Sequence, residues 1–274
     1  HIKVTDSILV LSEKEILITL NSALKILSFS SNVKAEQLAG TFKSNDVGMD
    51  RDNGGENTKV KLNKWKLILD KDSKYFVINY EGNVNFSFSQ SEEDYARGFS
   101  ETSGIISDSG IYLAGSTHWV PSFNDRLVTF QMTTSLPQGW KSVSQGKRLD
   151  EATSEGRHYD TWICEHPQEE IFLIGARFIE YAYEMSNGIH AMAFLRTPDE
   201  ALANKYLEVT GQYMDMYQKL IGSYPYSKFA LVENFWETGY GMPSFTLLGE
   251  KIIRFPFILH SSYPHELLHN WWGN

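Results

Sequence analysis

The feature that most constrains this chain is a change of hydrophobic period near Arg196. Before it, Val84, Phe86 and Phe88 alternate with Asn85, Ser87 and Ser89, and Val128, Phe130 and Met132 alternate with Thr129, Gln131 and Thr133. A period of two sets one face of a strand against a core and the other toward water. Further strands are expected over 15–20, 76–80, 168–173 and 189–195, with turns at 81–83 and 137–139. After Arg196 the apolar positions Leu202, Tyr206, Val209, Tyr213, Met216 and Leu220 take helical spacing, which stops at Gly222, a natural left-handed terminator, with Pro225 soon after. Thr197, Pro198 and Glu200 supply a capping threonine, a first-turn proline and the glutamate of a capping box. The chain is therefore expected to divide into an antiparallel β-rich domain, residues 1–195, and a second segment, 196–274, that opens with a long helix.

Composition removes several function classes. The formal charge of -9, from 25 basic and 34 acidic residues, opposes binding to a polyanion, which requires clustered Lys and Arg to release counterions. Nucleic acid is thus not an expected partner. The longest apolar runs, such as 171–176, are too short to span a bilayer. One cysteine, Cys164, excludes an internal disulfide framework and a four-cysteine metal cluster, and reads as a buried structural thiol. A lone cysteine fits either redox compartment, and an extracytoplasmic address is the expectation carried forward. The start at His1, without a Met or a signal-like apolar core, reads as a processing site or chain boundary. The acidic stretch 45–57 looks like a calcium loop until its twelfth position from Asp50 proves to be Lys61, so a solvated loop is expected.

The chemistry gathers at the far end, in His265, Glu266, Leu267, Leu268 and His269. On a helix, residues four apart share a face, so both imidazoles reach one tetrahedral zinc while the glutamate between them faces its open position. His265 and His269 are the expected ligands, and Glu266 is the expected general base. Ser261 or Ser262 can cap such a helix, and Pro264 is tolerated only in its first turn.

The sequence from His265 to Asn274, HELLHNWWGN, resembles the zinc helix of the aminopeptidase N family, which includes alanyl aminopeptidases and leukotriene hydrolase. The likeness continues through Ser223, Tyr224, Pro225, Tyr226, Lys228 and Phe229, and through the 115–121 and 136–140 stretches, which look like Trp-x-Pro and Pro-x-Gly-Trp landmarks of the family's first domain. The resemblance implies a β-rich, saddle-like antiparallel N-terminal domain followed by the start of a thermolysin-like α/β catalytic domain. It also implies one zinc ion, a peptide substrate and removal of N-terminal residues.

Two departures qualify that expectation. Where family members carry Gly-x-Met-Glu-Asn, whose Glu anchors the substrate amine, this chain reads Gly241, Met242, Pro243 and Ser244. Gly241, Met242 and Pro243 remain expected to line the peptide groove, with Glu237 or Glu233 as substitute anchors and His118 as a further contact. Only five residues follow His269 (274 minus 269), whereas the family's third ligand, a Glu, and its transition-state Tyr lie further on. The chain is accordingly expected to be an N-terminal piece of a longer enzyme, inactive alone, whose partner is the remainder of its own catalytic domain. The alternative is a non-catalytic peptide- or partner-binding protein of the same architecture.

Overall fold

The computed structural model describes residues 1–11, 14–44, 60–90, 100–123 and 126–272. The expected 45–57 loop, together with Gly273 and Asn274, lies outside them. The chain forms two compact units. The first holds 1–89, 102–128 and 168–171, and the second holds 90–101, 129–167 and 172–274.

In the first unit, strand Tyr75–Gly82 pairs antiparallel with Ile2–Leu9 and with Leu24–Phe29. Strand Lys61–Leu69 likewise pairs with Glu15–Asn21 and Val33–Gln37. The alternation that the sequence displays is visible in burial: Ile16, Ile18, Leu62, Leu67, Phe76, Ile78 and Tyr80 face inward. The expected strand 84–89 does not form. The preceding strand runs on through Glu81 and Gly82, where a turn was expected, and the alternating stretch makes an isolated bridge at Asn85 to Ile105, flanked by bonds of Val84 and Phe86 to Ile106 and Gly104, and enters a strand only at Ser89. Alternation fixes which side chains face inward, but a ladder also needs a partner strand in register.

The second unit contains a three-stranded sheet of Val128–Pro137, Arg157–Gln168 and Lys147–Ser154. Gly139 occupies the left-handed region in the expected turn, with φ of 84°. The strand expected over 168–173 is replaced by a break between Arg157–Gln168 and Leu173–Ala176.

A mixed five-stranded sheet completes this unit, in the order Ile179–Glu184, His190–Leu195, Lys228–Asn234, Phe245–Gly249, Gly239–Met242. His190–Leu195 and Lys228–Asn234 run parallel, which requires a crossover, and helix α1 (Glu200–Leu220) supplies it. The switch of period at Arg196 thus marks the strand-to-helix junction of one βαβ unit. The cap of α1 lies two residues after the expected one, because Asp199 accepts the Leu202 N–H at 2.9 Å in place of Thr197. Its face, with Ala203, Tyr206, Leu207 and Met214, closes a core over Ala191, Ala193, Leu195, Phe229, Leu231 and Leu248. No helix among the described residues is long and apolar enough to cross a membrane.

Candidate metal centre

Helix α2 (Ser262–Leu268) carries His265, with His269 as its C-cap, and is anchored to α1 by aromatic side chains. Tyr263 is fully buried, its hydroxyl 2.6 Å from Thr210 Oγ1, and its ring meets Tyr206 edge-on at 4.7 Å. Tyr217 donates to the Pro264 carbonyl at 3.2 Å, and Leu267 enters the core. Pro264 sits in the first turn, where its missing N–H costs nothing. Neither serine caps through its side chain: Ser261 Oγ bonds the Phe257 carbonyl.

His269 follows the last helical residue with αR dihedrals, so the two rings meet edge-on one turn apart. Their Nε2 atoms approach to 3.0 Å and their planes cross at 83°. Two nitrogens bound to one tetrahedral zinc at ~2.0–2.1 Å stand about 3.3–3.4 Å apart, so the pair needs only a few tenths of an ångström to admit the ion. His269 Nδ1 lies 3.1 Å from the Trp272 carbonyl. A carbonyl only accepts, so Nδ1 holds the ring proton and the Nε2 lone pair is left for a ligand, as second-shell partners of metal-bound histidines commonly arrange. The donor set therefore fits zinc at two positions. No third His, Cys, Asp or Glu among the described residues joins them with ligand atoms all within 4.8 Å.

Glu266 points to the opposing strand hairpin. A Cβ added at Gly241 would collide with its Oε2 and would meet His269 Cδ2 at 3.4 Å. Glycine at 241 is thus what lets strand Gly239–Met242 lie directly on the carboxylate and the second imidazole. Burial raises the Glu266 pKa above the ordinary carboxylate value, while His269 and His265 oppose that rise. A carboxylate made more basic by desolvation is suited to accept a proton.

Asn270, which the sequence reading did not single out, ties helix to hairpin. Its amide donates to the Leu267 carbonyl at 3.1 Å, which also accepts the Asn270 N–H, and to the Glu266 carbonyl at 3.3 Å at the helix end. Its oxygen accepts the Ser244 N–H at 2.6 Å, and Ser244 stands in the left-handed region with φ of 68°. Behind the turn, Lys228 Nζ donates to Ser244 Oγ at 2.8 Å and to its carbonyl at 3.1 Å. Burial lowers the Lys228 pKa to about 7.

The other expected residues fall into two groups. Met242 is buried and Pro243 half-buried at the hairpin end nearest α2, beside Gly241. Glu233 is 1% exposed and committed: Oε1 pairs with Arg254 at 2.8 Å and Oε2 accepts the Arg196 N–H at 2.6 Å. Glu237 packs against Gly249. Gly249 lies three residues along its strand from Thr246, the partner of Gly241, so roughly 10 Å separates the two places. His118 sits in the first unit in a left-handed turn, its ring 3.5 Å from Ser122 Oγ. Cys164 is buried and donates to the His166 carbonyl, and burial raises its pKa.

One cluster away from α2 also gathers ligand-type atoms: Glu151, His158 and Asp160, on facing strands. Lys141 contacts Glu151, and Arg148 lies 3.8 Å from Asp160 Oδ1. These cations already compensate the carboxylates, and the cluster is a structural ion network.

No family model matches the sequence, and no curated protein matches it. Solved structures do. The M1 zinc metallopeptidase from Deinococcus radiodurans superposes over 99% of this chain with a TM-score of 0.58 at 12% identity. A glutamate-to-alanine mutant of that enzyme gives 0.57 at 11%. The chain spans 59% of the length of either neighbour. At this identity the likeness establishes the fold, that of the β-rich N-terminal part of M1 metallopeptidases running into the α/β segment that bears α2.

Proposed function

We propose that this chain supplies the first half of a zinc peptidase centre, and that the complete protein hydrolyses peptide bonds, with N-terminal residues as the preferred leaving unit. The observation that carries the reading is the convergence of two Nε2 atoms at 3.0 Å beside a desolvated Glu266 on which Gly241 closes. His265 and His269 would hold the ion, and a further ligand would complete it. Zinc, when bound, polarises the scissile carbonyl and acidifies the attacking water. Glu266 accepts the proton from that water and delivers it to the departing amine. The Gly239–Met242 strand offers backbone to an extended peptide.

Glu233 is spent on Arg254, and Glu237 lies at the far end of the hairpin, so neither is assigned as an amine anchor. That absence favours one second reading, an endopeptidase preference at the same centre. A Glu266→Gln variant of the full-length protein separates catalysis from binding. Peptide turnover should fall at least a thousandfold with zinc retained, and unchanged turnover would reject the mechanism. Relative rates on free and N-acetylated peptides then distinguish exopeptidase from endopeptidase action.

A further inference from the structure

The turn that follows strand Lys228–Asn234 gathers buried polar atoms that the peptidase reading does not use. Asn234 is 1% exposed, and neither its amide nitrogen nor its amide oxygen has a hydrogen-bond partner among the described residues. Thr238 is fully buried with an unbonded hydroxyl, and Glu237 Oε2 is buried and unbonded as well. Orphaned groups of this kind are rare in folded proteins, and each is costly unless something satisfies it.

Sheet register places two of them together. Asn234 pairs with Gly249 across the parallel ladder, and paired residues project to the same face. The place of the missing Gly249 Cβ is taken by the Glu237 carboxylate. Glu237 Oε2 and the Asn234 amide therefore share one face of adjacent strands, which stand about 4.8 Å apart. Leu231 and Leu248 fill the α1 core, so this is the face turned away from α1. Thr238 is tied to the same point, since its carbonyl accepts the Gly249 N–H at 2.9 Å. The Ser100 N–H donates to the Glu237 carbonyl at 3.2 Å and the Trp236 indole to the Ser100 carbonyl at 2.6 Å, which covers the turn.

Charge decides what belongs there. Glu237 Oε1 accepts the Lys251 backbone N–H at 3.1 Å, but no cationic side chain among the described residues pairs with the carboxylate. Glu237 is half-buried with Oε2 turned inward: a water would satisfy that oxygen's hydrogen bond and leave it without a countercharge, whereas a cation supplies both. The available donors are a carboxylate, an amide and a hydroxyl oxygen, without nitrogen or sulfur ligands, and that is the set preferred by hard ions. We propose that the Asn234–Thr238 turn binds a hard cation of the calcium type through Asn234 Oδ1, Glu237 Oε2 and Thr238 Oγ1. Calcium tolerates the irregular coordination of a turn and completes its shell with carbonyls and waters, which magnesium accepts poorly. Occupancy would fix the hinge between strand Lys228–Asn234 and the hairpin that lies on Glu266.

The proposal does not depend on the peptidase reading, and its test is thermal unfolding of the chelator-treated protein titrated with calcium chloride. Calcium at a hundredfold above its Kd should raise Tm by about 5 °C over sodium chloride of equal ionic strength. One equivalent should remain after dialysis. Glu237→Gln should abolish both effects, and Thr238→Val, which preserves side-chain shape, should weaken calcium affinity at least tenfold if the first variant fails to fold. The effects should persist in a His265→Ala/His269→Ala double variant. A response no larger than that to sodium, one undiminished in both turn variants, or one lost with the histidines overturns the assignment.

Discussion

Gly241→Ala isolates the role of the hairpin in catalysis. Gly241 lies in a strand without a left-handed φ, so the backbone accepts alanine and the only new feature is a methyl group. That methyl would overlap Glu266 Oε2, which must retreat by about 1 Å to reach ordinary contact. His269 Cδ2, at 3.4 Å, is already at contact distance and need hardly move. The expected outcome is selective: a misplacement of about 1 Å in a proton-transfer group costs on the order of a hundredfold in kcat, or about 2.7 kcal/mol. KM and zinc stoichiometry should stay within a fewfold. Steady-state hydrolysis of amino-acid arylamides by the full-length protein, paired with metal analysis, reads both quantities. In a Glu266→Gln background the alanine should cost nothing further, because the group it displaces no longer acts. Unchanged kcat, or a fall that tracks loss of zinc, would refute the reasoning.

Further variants probe the supports. Asn270→Ala leaves the buried Ser244 N–H and the Glu266 carbonyl without the amide that bonds them, while the Leu267 carbonyl keeps the residue-270 N–H, and should destabilise by about 2 kcal/mol in urea unfolding, with weaker zinc retention. Lys228, depressed from 10.5 to about 7, is unprotonated in the folded state where the unfolded chain still binds a proton. Stability should therefore rise as pH climbs from about 7 toward 10.5, and Lys228→Met should flatten the urea midpoint over pH 7–9. Asp160→Ala removes the acceptor for the Ser142 N–H and hydroxyl, at 2.7 and 2.8 Å, and leaves the buried N–H facing nothing while the hydroxyl retains Thr134. A loss of about 3 kcal/mol is expected, read by the same unfolding assay.

Much of the local structure could be read from residue order. Period-two alternation located Glu15–Asn21, Tyr75–Gly82 and Val128–Pro137, and helical spacing located α1. His265, Glu266 and His269 follow from i to i+4 geometry alone. What residue order withheld depends on contacts distant in sequence. The 84–89 segment alternates well yet forms no continuous strand, and Asp199 displaces Thr197 as cap because its carboxylate reaches Leu202. Glu233 looked available as an anchor until Arg254, 21 residues on, took its carboxylate. The Asn270 tie had one visible signal, an amide side chain just past a helix end, but its second partner at Ser244 is 26 residues away.

α2 has seven residues, and a helix of that length does not persist alone in water. Its order is borrowed from Tyr263, Leu267 and the Asn270 clasp, so an ion held between the histidines would be linked to the docking of the helix. On the proposed reading, zinc affinity would then include any cost of seating α2. Stripping the metal should accordingly release amide protons from residues 262–272 to solvent exchange well before those of strand Lys228–Asn234.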